Sequence, residues 1–243
     1  MPAMVPKLAH LIMSGIPERL QAVENAIVAA CAEARRPAAA VRLLAVSKTF
    51  GADAVLAAAA AGQRAFGENY VQEGVDKIQA LKDHDLEWHF IGPIQSNKTR
   101  PIAEHFDWVH AVEREKIAVR LSEQRPPALG PLNVCVQVNI SGETSKSGVT
   151  PDEVESLAEA VARLPNLRLR GLMAIPEPAD DFAAQRAPFA AMRELFERLR
   201  EKFGPDFDTL SMGMSADMRA AILEGATIVR VGSAIFGART YNK

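Results

Sequence analysis

The stretch RLLAVSKTFGADAVLAAAAAGQRAFGEN, Arg42 to Asn69, decides how the rest of the chain is read. Leu43 to Val46 form a short apolar run that ends in Ser47 and Lys48. ADAVLAAAAAG follows without a β-branched cluster and reads as a helix over 52–61. RAFGEN is then a second short strand. A strand, a helix and a strand in so few residues make a βαβ unit, whose strands are parallel.

Working outward, the same alternation repeats. Strand candidates are RLLAVSK, RAFGEN, EWHFIG, DWVHAV, LNVCVQVNI, LRLRGLMAI, DTLSMG and TIVRVGSAIF. Helix candidates lie between them, near 52–61, 70–82, 96–105, 113–124, 151–164, 182–203 and 216–223. A further helix precedes the first strand, with Leu20, Val23, Ile27, Cys31 and Ala34 on one face, Pro17 in the first turn and Pro37 closing the segment. Thr150, Pro151 and Glu153 read as a capping box opening the helix at 151. Short apolar strands alternating with helices belong to a parallel sheet covered on both faces. Eight of them predict a single (β/α)8 TIM barrel with an extra N-terminal helix. An open doubly wound sheet is the alternative, but a dinucleotide fold calls for GxGxxG after the first strand, and AVSKTFGAD does not contain it. The chain reads as one domain over 1–243, with 1–14 a flexible extension and SGETSKSG (141–148) a loop after the fifth strand.

Composition bounds the function. The 243 residues carry 24% charged side chains and a formal net charge of −2, so there is no basic field for nucleic acid or an anionic membrane. No apolar run is long enough to span a bilayer, and the N-terminus lacks the basic and apolar regions of a secretory signal. Cys31 and Cys135 are isolated from CxxC or Cys/His patterns, which argues against a zinc site, and two buried free thiols suit a reducing compartment. The expectation is a cytoplasmic protein with no metal.

In a barrel, chemistry gathers at the carboxyl ends of the strands. Lys48 ends the first strand, on the same side as Leu44 and Val46. If that side faces inward, Lys48 points into the mouth, where partial desolvation favours a neutral amine able to attack an aldehyde. The bland alternative is a lysine reaching solvent or a carboxylate. Arg230 sits between Val229 and Val231, beside Ile228 and Gly232; it reads either as a ligand group or as half of an ion pair that locks the barrel. The Gly232–Ser233 pair offers backbone N–H groups to an anion. Ser215 stands where a strand gives way to a helix, as an N-cap or a phosphate contact. Barrels often bind phosphate in the loops after strands seven and eight, the regions of Ser215, Gly232 and Ser233. A ligand with both an aldehyde and a phosphate satisfies these positions; pyridoxal 5′-phosphate is one and a phosphosugar another. Glu68 and Asn69 end the second strand and line the mouth on this reading, whereas His89 and His110 read as hydrogen-bonded core residues.

LLAVSKT (43–49), FGENYVQE (66–73), WHFIGPIQSNK (88–98), GLMAIP (171–176), LSMGMSAD (210–217) and VRVGSAIFG (229–237) occur in this order. In these six stretches the sequence resembles the pyridoxal phosphate homeostasis proteins, single-barrel relatives of the alanine racemase N-terminal domain. The resemblance implies a protein that holds pyridoxal 5′-phosphate as a Schiff base on Lys48 and buffers it or delivers it to apo enzymes. It implies Asn69 near the pyridine ring, Arg230 facing the ring nitrogen, and Ser215, Gly232 and Ser233 at the phosphate. A cationic arginine at that nitrogen weakens the electron sink that catalysis would draw on. Racemisation also needs a second base, which the two-domain racemases take from a tyrosine of their C-terminal domain. The chain ends at Lys243, just after the eighth strand, and has only Tyr70 and Tyr241. The expectation is therefore a non-catalytic, monomeric binding protein, with a racemase-like enzyme and a phosphosugar aldolase or isomerase as the competing readings.

Overall fold

A computed structural model describes residues 15–142 and 147–238. Eight strands pair in parallel, in sequence order, and close into a barrel. They are β1 (Arg42–Val46), β2 (Ala65–Glu68), β3 (Glu87–Phe90), β4 (Trp108–Val112), β5 (Leu132–Val138), β6 (Leu167–Ala174), β7 (Thr209–Ser211) and β8 (Ile228–Val231). Closure is made by β1 on β8, with Leu44 opposite Arg230. The expected (β/α)8 barrel is the observed fold, and the open sheet is set aside.

Helices wrap the strands. They are α1 (Ile16–Glu33), α2 (Ala52–Ala60), α3 (Val71–Ala80), α4 (Thr99–His105), α5 (Glu115–Gln124), α6 (Val154–Ala162), α7 (Phe182–Phe203), α8 (Met218–Leu223) and the single turn α9 (Ser233–Phe236). The extra helix α1 buries Ile16, Leu20, Val23, Ile27 and Cys31, as its spacing predicts. It is tied to the end of the chain by Arg36, which donates to the carbonyls of Ile222 and Ala226 at 2.8 Å each, and by Arg19, which donates to Ile235 O at 2.6 Å. Most of the core lies between strands and helices, while Leu44, Ala65 and Ile228 form a separate cluster with Ile91 inside the barrel. Both cysteines are buried and free. Among the described residues no helix is long and apolar enough to cross a membrane, and no cluster of three His, Cys, Asp or Glu side chains is placed to hold a metal.

Several boundaries differ from expectation. SAIF, read as part of the last strand, is helical: Gly232 turns the chain at φ −117°, ψ −75°, and its carbonyl accepts from the N–H groups of Ile235 and Phe236. Ser215 is not a helix cap, because α8 starts at Met218 and the Asp217 carboxylate takes the Met214 N–H at 2.6 Å. The Thr150 box is half made. Glu153 accepts from the Thr150 N–H at 3.0 Å, but it also takes the hydroxyl proton at 2.8 Å, and the helix begins only at Val154. Residues 1–14, residues 143–146 of the loop at 141–148, and Tyr241 lie outside the described residues.

Candidate functional site at the carboxyl end of the barrel

β1 is buried from Leu43 to Val46 and delivers Lys48 two residues past its end. Side chains alternate along a strand, so the inward position of Leu44 sets those of Val46 and Lys48. Both of these line a cavity of about 280 Å³. Asn69 continues β2, Ile91 continues β3, and Ile175 and Met214 follow β6 and β7. Arg230 rises from β8, and Gly232 and Ser233 follow it; Ser215 and Ala216 close the wall. The structure thus brings Lys48, Asn69, Ser215, Arg230, Gly232 and Ser233 around one pocket. A larger groove of about 500 Å³ lies at the opposite end of the barrel, where α1 meets Arg42, Arg64 and Glu87, and none of the six reaches it.

Arg230 is buried and makes no ion pair with any described residue, so it does not lock the barrel through a carboxylate. Its Nη1 donates to Ser211 O and Ser211 Oγ, both at 2.8 Å, and its Nη2 to Ala174 O at 2.9 Å. Burial pushes its pKa down to about 10, which leaves it cationic at neutral pH. Asn69 Oδ1 is buried with no hydrogen-bond partner among the described residues. The site walls depend on close backbone approach. A Cβ on Gly92 would lie 2.3 Å from Asn69 O, and one on Gly232 would lie 3.1 Å from Val46 O. Among the described residues, the pocket lining holds the basic side chains of Lys48 and Arg230 and no carboxylate.

A family profile for the alanine racemase N-terminal domain matches residues 20–240. The pyridoxal phosphate homeostasis protein of Pseudomonas aeruginosa is 62% identical over 229 residues, covering 94% of this chain and 98% of its own. The corresponding protein of Vibrio cholerae is 57% identical over 235 residues, covering 95% and 99%. The chain belongs to the pyridoxal phosphate homeostasis protein family. Among solved structures, PipY of Synechococcus elongatus PCC7942 with PLP bound is 37% identical with a TM-score of 0.77, over 91% of this chain and all of that one. Alanine racemase of Corynebacterium glutamicum, at 19% identity and a TM-score of 0.71 over 93% of this chain and 62% of its own, shares the fold.

In this family member the lysine loop rests on a polar support that the sequence reading did not assemble. Glu68, expected at the mouth, points the other way, since it alternates with Asn69. Its buried carboxylate accepts from Ser47 Oγ at 2.6 Å and Lys77 Nζ at 2.7 Å. Lys77 also donates to Ser47 O at 2.8 Å and to Glu73 at 2.7 Å, and Glu73 accepts the Thr49 N–H at 2.5 Å. Both neighbours of Lys48 are therefore anchored to α3. Glu73 and Lys77 stand four apart on a helix, the spacing of facing side chains, and this was the available signal.

Proposed function

We propose that the protein binds pyridoxal 5′-phosphate reversibly in the carboxyl-end pocket and serves its homeostasis by holding and releasing it, without robust turnover of any amino acid. The observation that carries this reading is the convergence of Lys48, Asn69, Arg230, Ser215, Gly232 and Ser233 on one pocket, in a member of this family. The residues suit the group. The cationic lining matches a phosphate, Asn69 Oδ1 is an acceptor in want of a partner, and Val46, Ile91, Ile175 and Met214 give apolar walls for a flat ring. When bound, the cofactor supplies an aldehyde that condenses reversibly with an amine as a Schiff base, and Lys48 is the amine at hand. Ser215 and the backbone at Gly232 and Ser233 are assigned to the phosphate, Asn69 to the ring and Arg230 to its nitrogen.

Two features argue for holding over turnover. Arg230 stays cationic and so opposes protonation of the ring nitrogen, which weakens the sink for a carbanion. Among the described residues, Lys48 is the one lining side chain able to serve as a base, so these residues move a proton on one face alone. Ile175 and Met214 are exposed at 39% and 37%, which leaves the pocket open for release. Apo enzymes that use the same cofactor are the recipients this reading calls for, from a monomeric protein in the cytoplasm.

The test is the absorbance of purified protein with added pyridoxal phosphate, before and after borohydride, in wild type and Lys48→Ala. The expected result is a band in wild type, fixed by reduction, and none in the variant. No band in either protein would overturn the assignment and favour a phosphosugar. Exchange of an amino acid's α-hydrogen for deuterium at catalytic rates would overturn the non-catalytic part.

A further inference from the structure

The barrel interior beneath the pocket is not wholly apolar. His89 on β3 and His110 on β4 are completely buried. His89 Nδ1 lies 2.8 Å from His110 Nε2, and His110 Nδ1 lies 2.8 Å from Ser211 Oγ. Ser211 is on β7, which does not neighbour β4, so this contact crosses the lumen. Ser211 Oγ meets Arg230 Nη1 at 2.8 Å. At the other end, His89 Nε2 contacts Glu87 Oε1, which is also paired with Arg42 in the amino-end groove. The groups form a continuous line: Glu87, His89, His110, Ser211, Arg230.

The ends of the line dictate where its protons sit. A guanidinium only donates, so Ser211 Oγ accepts from Arg230. His89 Nε2 faces both the Glu87 carboxylate and, at 3.1 Å, Arg42 Nη2. The carboxylate contact is the shorter of the two, and because an ionised carboxylate only accepts, it sets a hydrogen on Nε2. Burial holds both imidazoles well below their usual pKa range, so each ring has one N–H. His89 Nδ1 is then bare and accepts from His110 Nε2–H. His110 Nδ1 is bare in turn and accepts the Ser211 hydroxyl proton. Every donor points towards Glu87 and every lone pair towards Arg230. Bonds aligned in this way reinforce one another and stabilise an anion at one end and a cation at the other.

We propose that this one-directional chain is a positioning device for the cofactor pocket: Glu87, His89 and His110 hold Ser211 as an acceptor, and Ser211 fixes the Arg230 guanidinium beneath the ligand. The proposal rests on the pyridoxal phosphate reading and adds residues that do not line the pocket. Its consequence is that a charge at the amino end of the barrel is felt at the carboxyl end. The other charged and titratable groups around the chain are Arg42, Arg170 with its partner Asp208 over the Trp108 ring that stacks on His89, Asp217 beyond Arg230, and the Cys135 thiol.

Two measurements test it. Long-range nitrogen–proton NMR of the wild-type protein, without ligand, reads the tautomers. The expected result is Nε2–H in both rings, unchanged between about pH 6 and 8. An Nδ1–H tautomer in either ring, or titration of either in that window, would overturn the chain. The second is the dissociation constant for pyridoxal phosphate in Glu87→Gln, Ser211→Ala and the double variant. Glu87 is 37% exposed, so its replacement leaves the core intact. Weakening by about threefold is expected for Glu87→Gln and about tenfold for Ser211→Ala. The double variant should bind no worse than Ser211→Ala, since the chain is already broken. Wild-type affinity in Glu87→Gln, or effects that multiply in the double variant, would overturn the positioning role. Failure of the wild-type protein to bind the ligand would defeat the functional reading instead, and the tautomers would still judge the chain.

Discussion

Thr49, the residue after Lys48, has φ +70°, a conformation that a β-branched residue seldom adopts. Such a residue persists only where its surroundings over-determine it, and here they do: Glu73 takes its N–H, and Lys77 ties Glu73 to Glu68 and to the Ser47 carbonyl. Lys77 is thus the keystone of the loop that presents Lys48. Its replacement by Met would leave the Glu68 carboxylate buried without a counter-charge, a loss of about 3–5 kcal/mol. The sign of the pH effect follows from Glu68. Burial raises its pKa above the ordinary 4.5, so in the unfolded chain it ionises first, and folding loses stability as pH rises from there. Below about pH 4.5 the carboxyl is neutral in both states and the penalty vanishes. Denaturant titrations of Lys77→Met should therefore show a deficit that is full at neutral pH and shrinks at pH 4. A deficit independent of pH would mean that lost packing, not the stranded charge, is responsible.

At the scale of elements, the strands were legible because buried parallel strands are written as short apolar runs, whereas their ends were not. SAIF has the composition of a strand, and only the turn at Gly232 makes it a helix. Ser215 has the chemistry of a cap, yet Asp217, two residues on, holds the N-cap position, and its carboxylate takes the Met214 N–H of the preceding loop instead of capping the helix. Glu68 and Asn69 are adjacent in sequence, and alternation sends them to opposite sides of the sheet. The convergence of Lys48, Asn69, Arg230 and the glycine–serine pair could be anticipated because each lies near or just past the carboxyl end of a strand. The closeness of β2 to β3 at their carboxyl ends could not. There Gly92 touches the Asn69 backbone, and an added Cβ would fall 2.8 Å from Asn69 Cα as well as 2.3 Å from its carbonyl oxygen. Backbone cannot yield as a flexible side chain does, so Gly92→Ala must displace Asn69. Pyridoxal phosphate affinity should fall by about tenfold, with a stability cost of about 1–3 kcal/mol. A calorimetric titration beside a thermal melt separates the two; undiminished affinity would remove Asn69 from the ligand contacts.

Across the whole molecule, a barrel divides its labour: loops at the carboxyl ends carry function, and the amino ends carry stability. α1 and its clasp on the turn between α8 and β8 belong to the second class. The clasp was hidden from sequence, because Arg36 meets Ile222 and Ala226 across nearly the whole chain. The histidine chain was hidden for a related reason, since its members come from β3, β4, β7 and β8, and only closure of the barrel brings them into line. These two amino-end features should behave oppositely. Arg36→Ala removes both bonds and takes the Arg36 donor from the Ala226 carbonyl, while Ile222 O keeps the Gly225 N–H at 3.1 Å. The cost is about 1–3 kcal/mol, equivalent to a fall in Tm of several degrees for a domain of this size. Among the described residues, neither carbonyl belongs to the hydrogen-bonded line that ends at Arg230, so affinity for pyridoxal phosphate should stay within about twofold of wild type. Glu87→Gln should do the reverse, leaving Tm nearly unchanged while weakening the ligand. Paired melts and titrations of the two variants compare them directly. If Arg36→Ala also lost affinity in proportion to its stability, the pocket would be responding to the general firmness of the barrel, and a dedicated line through Glu87 would not be needed to explain a loss in Glu87→Gln.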